Sequence, residues 1–248
     1  MRLGIIAPAA MLETYCITKT HYVLPSLFLE NETYRNFYLE ASKKGHLIIL
    51  DSKQVGWKRA PASIEMILEC LQQITPRYII TPSYLFKTKD SLEVTKQFLS
   101  LPQIKGLNPE TTRVVGCVEG TTEEECLNYK KELRQLGLNL FAYPSHIYNT
   151  YKGPKGIYIE NHSRLEELQG CEGILVTSLP IRLGLKGMLI PDYFPTPGSL
   201  DFNTVEDPFP GIIKKNLQKA VKFCKDQEAA RKKDQEAARK KDQEAARK

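Results

Sequence analysis

Val114-Val115-Gly116-Cys117-Val118-Glu119-Gly120-Thr121-Thr122-Glu123-Glu124-Glu125 reads as a strand, a tight corner and the start of a helix. Val114–Val118 is short, apolar and rich in β-branched residues, as a parallel strand buried on both faces should be. Glu119-Gly120 ends the run. Thr121 and Thr122 each stand three residues before a glutamate, which makes two overlapping capping boxes, and Gly137 is a natural stop for the helix they open. One βα unit is therefore written into about twenty-five residues.

The same alternation recurs on either side. Strand candidates are Leu3–Ala7, Leu47–Leu50, Tyr78–Thr81, Val114–Val118, Leu138–Tyr143, Gly156–Ile159, Gly173–Val176 and Met188–Ile190. Between them, Ser63 is placed to cap a helix in which Ile64, Ile67, Leu68 and Leu71 share one face. A helix is expected over Ser91–Ser100, and a longer one over Leu27–Lys43 with Gly45 at its end. Eight strands alternating with helices predict an α/β fold of the (β/α)8 TIM-barrel type. An open doubly wound sheet is the alternative. Periodicity does not separate the two, but the strand count and the lack of a glycine-rich phosphate loop after strand one favour the barrel.

The proline-rich stretch Pro191–Pro210 reads as an ordered loop or lid, and Ile212–Phe223 as a final amphipathic helix. That helix runs into KDQEAARK, which occurs three times in tandem at 225–232, 233–240 and 241–248. These residues are strong helix formers, and Glu228 and Lys232 form an i,i+4 pair that each later copy repeats. Eight residues turn a helix by roughly 800°, so the repeats build no apolar stripe. The division expected is a barrel domain over 1–224 and a basic helical tail over 225–248, the tail being either a solvated extension or an arm for a polyanionic partner.

The net charge is +6, of which the three repeats supply half. This mild basicity is compatible with nucleic acid without demanding it. Six cysteines, at 16, 70, 117, 126, 171 and 224, form no CxxC pair and no zinc-ligand spacing with histidine. They point to a reducing compartment, with no metal and no cofactor implied. Pro8 interrupts the short apolar N-terminus and Glu13 follows, so a first strand explains it better than a signal peptide. No apolar run approaches the ~20 residues of a membrane span. The localisation expected is cytoplasmic, the host cytoplasm if the chain is phage-encoded, with no membrane partner.

In a barrel of this kind the active site forms at the carboxyl ends of the strands. Those ends carry Asp51-Ser52, Thr81-Pro82-Ser83, Glu119-Gly120, Tyr143-Pro144-Ser145-His146, Glu160, Thr177-Ser178 and Asp192. Asp51 closes an apolar run and opens a polar loop, where it either caps that loop or serves a pocket. Glu119 could accept the N1–H and N2–H₂ donors of a guanine edge. Arg182, just after the Thr177-Ser178 strand end, and Lys186 are candidates for a phosphate contact. No histidine sits in a Ser/His/Asp or HExxH arrangement.

Several of these segments together resemble the tRNA-guanine transglycosylase-like proteins. Val114–Glu125 resembles that family's V-G-V-x-Q-G-x-x-x-E-E stretch, and Leu50-Asp51-Ser52 the start of its D-S/N-G motif. Ala142-Tyr143-Pro144-Ser145 is similar to its (A/G)-x-P strand end, and Val176-Thr177-Ser178-Leu179-Pro180 to its D-T-S-x-P segment. His21-Tyr22-Val23-Leu24-Pro25 and the stretch 34–45 are similar to the N-terminal region of the short phage and prokaryotic, DpdA-like branch, which inserts 7-deazaguanines into DNA. The order of elements matches over roughly residues 1–223.

The resemblance implies a barrel that exchanges guanine for a 7-deazaguanine base in DNA or tRNA, a pentosyl transfer at the glycosidic carbon. It assigns Asp51 to proton shuttling and Glu119 to the pocket as the catalytic pair. Ser52, Ser83, Gly120, Tyr143, Ser145, Thr177 and Ser178 surround the base. The partners implied are nucleic acid and a guanine or deazaguanine base, and homodimerisation stays open. The chain departs from the pattern at chemical positions. The nucleophilic aspartate falls at Val176, a base-reading aspartate near Ser83, the glutamine at Glu119, and the glycine after Asp-Ser at Lys53. The zinc cysteines of larger relatives are absent. Either the chemistry has moved to another carboxylate (Glu119, Glu160 or Asp192), or the pocket binds nucleic acid or a base without reacting. A third reading is a glycoside or nucleoside hydrolase using Asp51 and Glu119 as its paired carboxylates.

Overall fold

The computed structural model describes residues 2–7, 9, 12–16, 18–52, 61–142, 174–178, 183–184, 187–188 and separate positions between 218 and 237. The founding βα unit is present. Strand β5 is Arg113–Cys117 and helix α7 is Glu123–Gln135. Thr122 is the N-cap and its hydroxyl accepts from Glu125 N at 3.2 Å, while Glu125 Oε2 accepts from both the amide and the hydroxyl of Thr121. Gly137 follows with φ +87°, a left-handed position that a side chain would strain.

The neighbouring units follow the same logic. β1 is Arg2–Ile6, followed by the single-turn α1, Leu12–Tyr15, and then β2, Thr20–Val23. β3 is Leu47–Leu50, α4 is Ile64–Gln73 and β4 is Tyr78–Ile80. α5 is Thr88–Ser100 and α6 is Pro102–Lys105. Ser63 caps α4 as its sequence predicts, its Oγ accepting from Met66 N. β6 is Phe141–Ala142 and β7 is Ile174–Ser178.

These strands form one sheet in the order β6-β5-β4-β3-β2-β1-β7, with every pairing parallel. From β1 to β6 each strand lies beside its predecessor in the chain, always stepping the same way. Right-handed crossovers then put every connecting helix on one face. Yet both faces of the central strands are buried: Tyr22 and Val23, Ile48 to Leu50, and Tyr78 to Ile80 are all at most 7% exposed. A one-sided helix layer with a buried second face requires the sheet to curl on itself. The last parallel strand among the described residues, β7, pairs with the first over five residues, from Arg2↔Ile174 to Ile6↔Ser178. This is the neighbour order of a (β/α)8 barrel. An open doubly wound sheet reverses its direction at a switch point, and no reversal occurs between β1 and β6.

The structure corrects four expectations. β2, Thr20–Val23, is a full member of the sheet that hydropathy alone does not mark. The single helix expected over Leu27–Lys43 is two, α2 (Pro25–Glu30) and α3 (Glu32–Lys43). Asn31 breaks them apart with extended angles, and its Oδ1 accepts from Tyr34 N at 2.9 Å. Thr177 and Ser178 belong to β7 rather than following it. Of the strand expected at Met188–Ile190 only Met188 is among the described residues, and it lies outside the seven-stranded sheet. β9, Gly187–Met188, pairs antiparallel with β8, Leu183–Gly184, in a separate two-stranded ribbon. The strand expected at Gly156–Ile159 lies outside the described residues.

One hydrophobic cluster joins the strands to Leu27, Phe28, Tyr34, Tyr38, Ile67, Cys70 and Phe98 of the helices. A smaller one under α7 holds Val118, Cys126, Tyr129 and Leu133. In the C-terminal segment Gln218, Val221, Lys222, Lys225 and Asp226 are helical, and Val221 packs against the main cluster. Among the described residues no helix is long and apolar enough to cross a membrane. Cys16, Cys70, Cys117 and Cys126 are free thiols.

Candidate functional site

Strand parity decides which side chains share the barrel interior. His21 of β2 meets Phe37 and Tyr38 of α3 edge to face, so it points out toward the helices. A Cβ added to Gly116 of β5 would meet Leu133 and Leu138, so Gly116 also faces outward. Side chains alternate along a strand, and paired residues of parallel strands point the same way. From the pairings His21↔Ile48, Ile49↔Tyr78, Tyr78↔Arg113 and Ile80↔Val115, the inward residues of β2 to β5 include Tyr22, Ile49, Tyr78, Ile80, Arg113, Val115 and Cys117, and the same alternation carried past the strand ends puts Asp51 and Glu119 on that face. Asp51 and Glu119 therefore lie at the same end and on the same face of the sheet. One strand stands between them, which separates their backbones by roughly 10 Å.

Glu119 is wholly buried. Its Oε1 accepts from Ser83 Oγ at 2.9 Å and has the Cys117 thiol at 3.8 Å. Its Oε2 accepts from the amide of Phe86 at 3.4 Å. A carboxylate taken from water needs donors of this kind. The next residue, Gly120, has φ +155°, and a Cβ there would stand 2.7 Å from Cys126 Sγ and 2.9 Å from Cys126 N. Gly120, expected to touch substrate, lets the chain turn closely against α7.

Asp51 is 2% exposed. Its amide extends the ladder to Val23 O, and its Oδ1 accepts from Ser52 N at 2.7 Å. Ser52 is buried and donates to Thr81 O at 2.9 Å, which ties the end of β3 to the end of β4. Thr81 Oγ1 in turn accepts from Cys117 N at 2.9 Å, which ties β4 to β5. Ser52 thus serves the barrel rim. Thr81 carries the link between the two acids, a role with no sequence signal beyond its place at a strand end.

Of the other predicted residues, Ser83 is buried against Glu119 as described. Thr177 and Ser178 pair through their backbones with Ile5 and Ile6. Tyr143, Ser145, Arg182 and Lys186 lie outside the described residues, as do His146, Glu160 and Asp192. Phe86, which no sequence pattern singled out, is among the described residues the one non-glycine with a positive φ, +63°.

A second polar feature lies on the helix side of β2. His21 Nε2 and His46 Nδ1 are 2.8 Å apart with their rings stacked. His21 is 1% exposed, and its Nδ1 has no partner among the described residues. The pair is satisfied when both rings are neutral and His21 donates to His46. Burial and the neighbouring His46 lower the pKa of His21 to about 4, and burial lowers that of His46. His46 lines an outer groove of about 680 Å³ between α1 and α3. Beside it, burial pushes the Cys16 thiol up to about 11, partly offset by its contact with Tyr38. No group of three or more histidine, cysteine or acidic side chains among the described residues could hold a metal ion.

Comparison with protein-family models and with curated proteins gives no match. Among solved structures the chain is similar to orotidine 5′-phosphate decarboxylase from Thermotoga maritima, at 15% identity over 75% of this chain and 94% of that one, with a TM-score of 0.39. At that score the likeness carries no argument, and the barrel rests on the strand order given above.

Proposed function

We infer that the barrel mouth handles a guanine-like base and that the chain is a transglycosylase-like protein, exchanging guanine for a 7-deazaguanine in DNA or tRNA. The observation that carries this is the pair of buried acids, Asp51 and Glu119, on one inward face at the carboxyl end of the strands. Glu119 is a carboxylate acceptor held by Ser83 and the Phe86 amide, and a carboxylate is the kind of acceptor that the N–H edge of a purine calls for. In an exchange, the bond from the sugar C1′ to the outgoing base breaks and one to the incoming base forms. The incoming ring nitrogen gives up a proton and the outgoing one takes a proton; Asp51 is the carboxylate that carries it.

A second reading has its own observation. The position of the family's nucleophile is Val176, which pairs with Gly4 in the sheet. A valine forms no covalent intermediate, and losing a nucleophile costs several orders of magnitude in rate. On this reading the same pocket binds a base or a nucleic acid without exchange.

Incubating the full chain with labelled guanine and with DNA or tRNA separates the two. Exchange predicts label in the polymer, and Asp51→Asn lowers incorporation by about a hundredfold or more. Saturable base binding with no incorporation selects the second reading. No binding and no incorporation overturns both.

A further inference from the structure

We propose that His46 is a proton-operated latch: with its ring neutral it closes over the buried His21, and on taking a proton it swings out into the groove between α1 and α3. The contact between the two rings has room for one hydrogen. His21 Nε2 and His46 Nδ1 stand 2.8 Å apart, and His21 Nδ1 is buried with no partner among the described residues. The hydrogen therefore belongs on His21 Nε2, since on Nδ1 it would be a buried donor with nothing to meet. His46 then carries its own hydrogen on Nε2 and accepts at Nδ1. A proton arriving at His46 has only that Nδ1 to take, and two N–H groups then face each other across one contact. Either His21 moves its hydrogen to Nδ1, or the rings part.

The surroundings decide for parting, with His46 as the ring that moves. His21 is walled in by the edges of Phe37 and Tyr38. His46 is half-buried and already lines the groove, whose volume is several times that of an imidazole. Its backbone is pinned: His46 N donates to Ala41 O at 3.0 Å and Gly45 N to Ser42 O at 2.9 Å, the double closure of a helix end, with Gly45 at φ +74°. What turns is thus the side chain, and α3 and β3 stay in place. Charge favours the same movement. Where the ring now sits, Lys19 and Lys44 act against a positive imidazole. The groove offers it Glu13 and Glu40, beside Lys44, and Glu40 is shared with Lys43. The other titratable groups by the pair, Cys16 and Tyr38, are kept protonated by burial and add no charge.

The test is a pH titration of the full chain, labelled with nitrogen-15 histidine and read by NMR; with four histidines the imidazole spectrum is simple. At neutral pH both rings should show the tautomer with hydrogen on Nε2. On acidification His46 Nδ1 should take the proton and the ring-to-ring cross-relaxation should vanish in the same step, while His21 keeps its tautomer and the backbone spectrum stays that of the folded chain. His21→Phe keeps a ring against Phe37 and Tyr38, removes the donor and identifies the His21 signals. His46 of this variant should bind its proton about threefold more tightly or better, the low end of what one lost hydrogen bond is worth. The double variant Glu13→Gln, Glu40→Gln leaves the neutral contact alone and should weaken that proton binding roughly twofold or more, in the range of exposed ion pairs. Protonation of His46 with the cross-relaxation intact and the His21 hydrogen moved to Nδ1 overturns the latch. So does a His46 that takes no proton until the whole chain unfolds. Proton binding unchanged in the double variant rules out the groove as the place where the ring comes to rest.

Discussion

At the residue scale, the buried His21–His46 pair gives a pH dependence whose sign follows from burial. In the unfolded chain a histidine takes its proton near pH 6.5, whereas folded His21 does so only near pH 4. Between those values the unfolded state binds the extra proton, so stability falls as pH falls through this window. Above pH 6.5 neither state binds it and the pair imposes no penalty. The full loss is on the order of 3 kcal/mol, an upper bound because solvent and local opening relieve part of it. The rings facing His21 are Phe37, Tyr38 and His46, and the charges acting on His46 are Lys19 and Lys44; none is a carboxylate that would stabilise a charged imidazole. His21→Gln keeps a donor for His46 and cannot titrate. Melting temperatures between pH 7 and pH 4.5 should fall less steeply for this variant than for the parent; an unchanged slope assigns the acid sensitivity elsewhere. The sequence marked none of this, because two histidines twenty-five residues apart meet only when β2 and β3 pair. It did mark Asp51, Ser83 and Glu119, since each stands within three residues of the end of a short apolar run and needs only the strand ends to be located. The backbone roles of Ser52 and Gly120 had no signal of their own, because a hydroxyl or a glycine at a rim reads the same whether it serves a ligand or the backbone.

At the scale of elements, the strands that are pure apolar runs were legible and the mixed one was not. Leu47–Leu50 needs no tertiary knowledge, whereas Thr20-His21-Tyr22-Val23 carries two polar side chains that become tolerable only after burial against His46 and α3. The division of α2 from α3 was hidden for a related reason. The apolar spacing continues across Asn31, and neither proline nor glycine marks the break. The break is held by one side-chain acceptor, Asn31 Oδ1 to Tyr34 N, with Tyr34 then buried and its hydroxyl accepting from Leu24 N at 3.2 Å. Asn31→Ala removes that cap from a helix whose Tyr34 and Tyr38 are fully buried. The expected cost is about 1 kcal/mol, in the usual range for a lost N-cap. It should appear as a lower urea midpoint at unchanged m-value. A loss below a few tenths of a kcal/mol would show that α2 and α3 are placed by packing alone, with the cap incidental.

At the scale of the whole molecule, the barrel depends on its last strand in a way the tail does not share. β1 is flanked by β2 through one described pair, Ile5↔His21, and by β7 through five. Without β7, β1 presents an unpaired parallel edge and the inward faces of the central strands meet water, the arrangement that most invites edge-to-edge association. The repeats stand in the opposite position. Lys225, Asp226, Ala229, Lys233, Glu236 and Ala237 are helical and exposed, while Val221, just before them, packs on the core. Two truncations therefore separate fold from tail. A chain ending at residue 224 keeps β7 and Val221 and should melt cooperatively within a few degrees of the parent, since removing solvated helix changes little buried surface. A chain ending at residue 173 should lose cooperative melting and aggregate. If the tail is an arm for a polyanion, the shorter of these losses has a second readout. Affinity for DNA or tRNA should fall in the 1–224 chain, and its dependence on salt should flatten, because each repeat removes three cations that would otherwise displace counterions. Equal affinity and equal salt slope in the two chains would assign the tail no part in binding and leave any nucleic-acid contact to the barrel mouth.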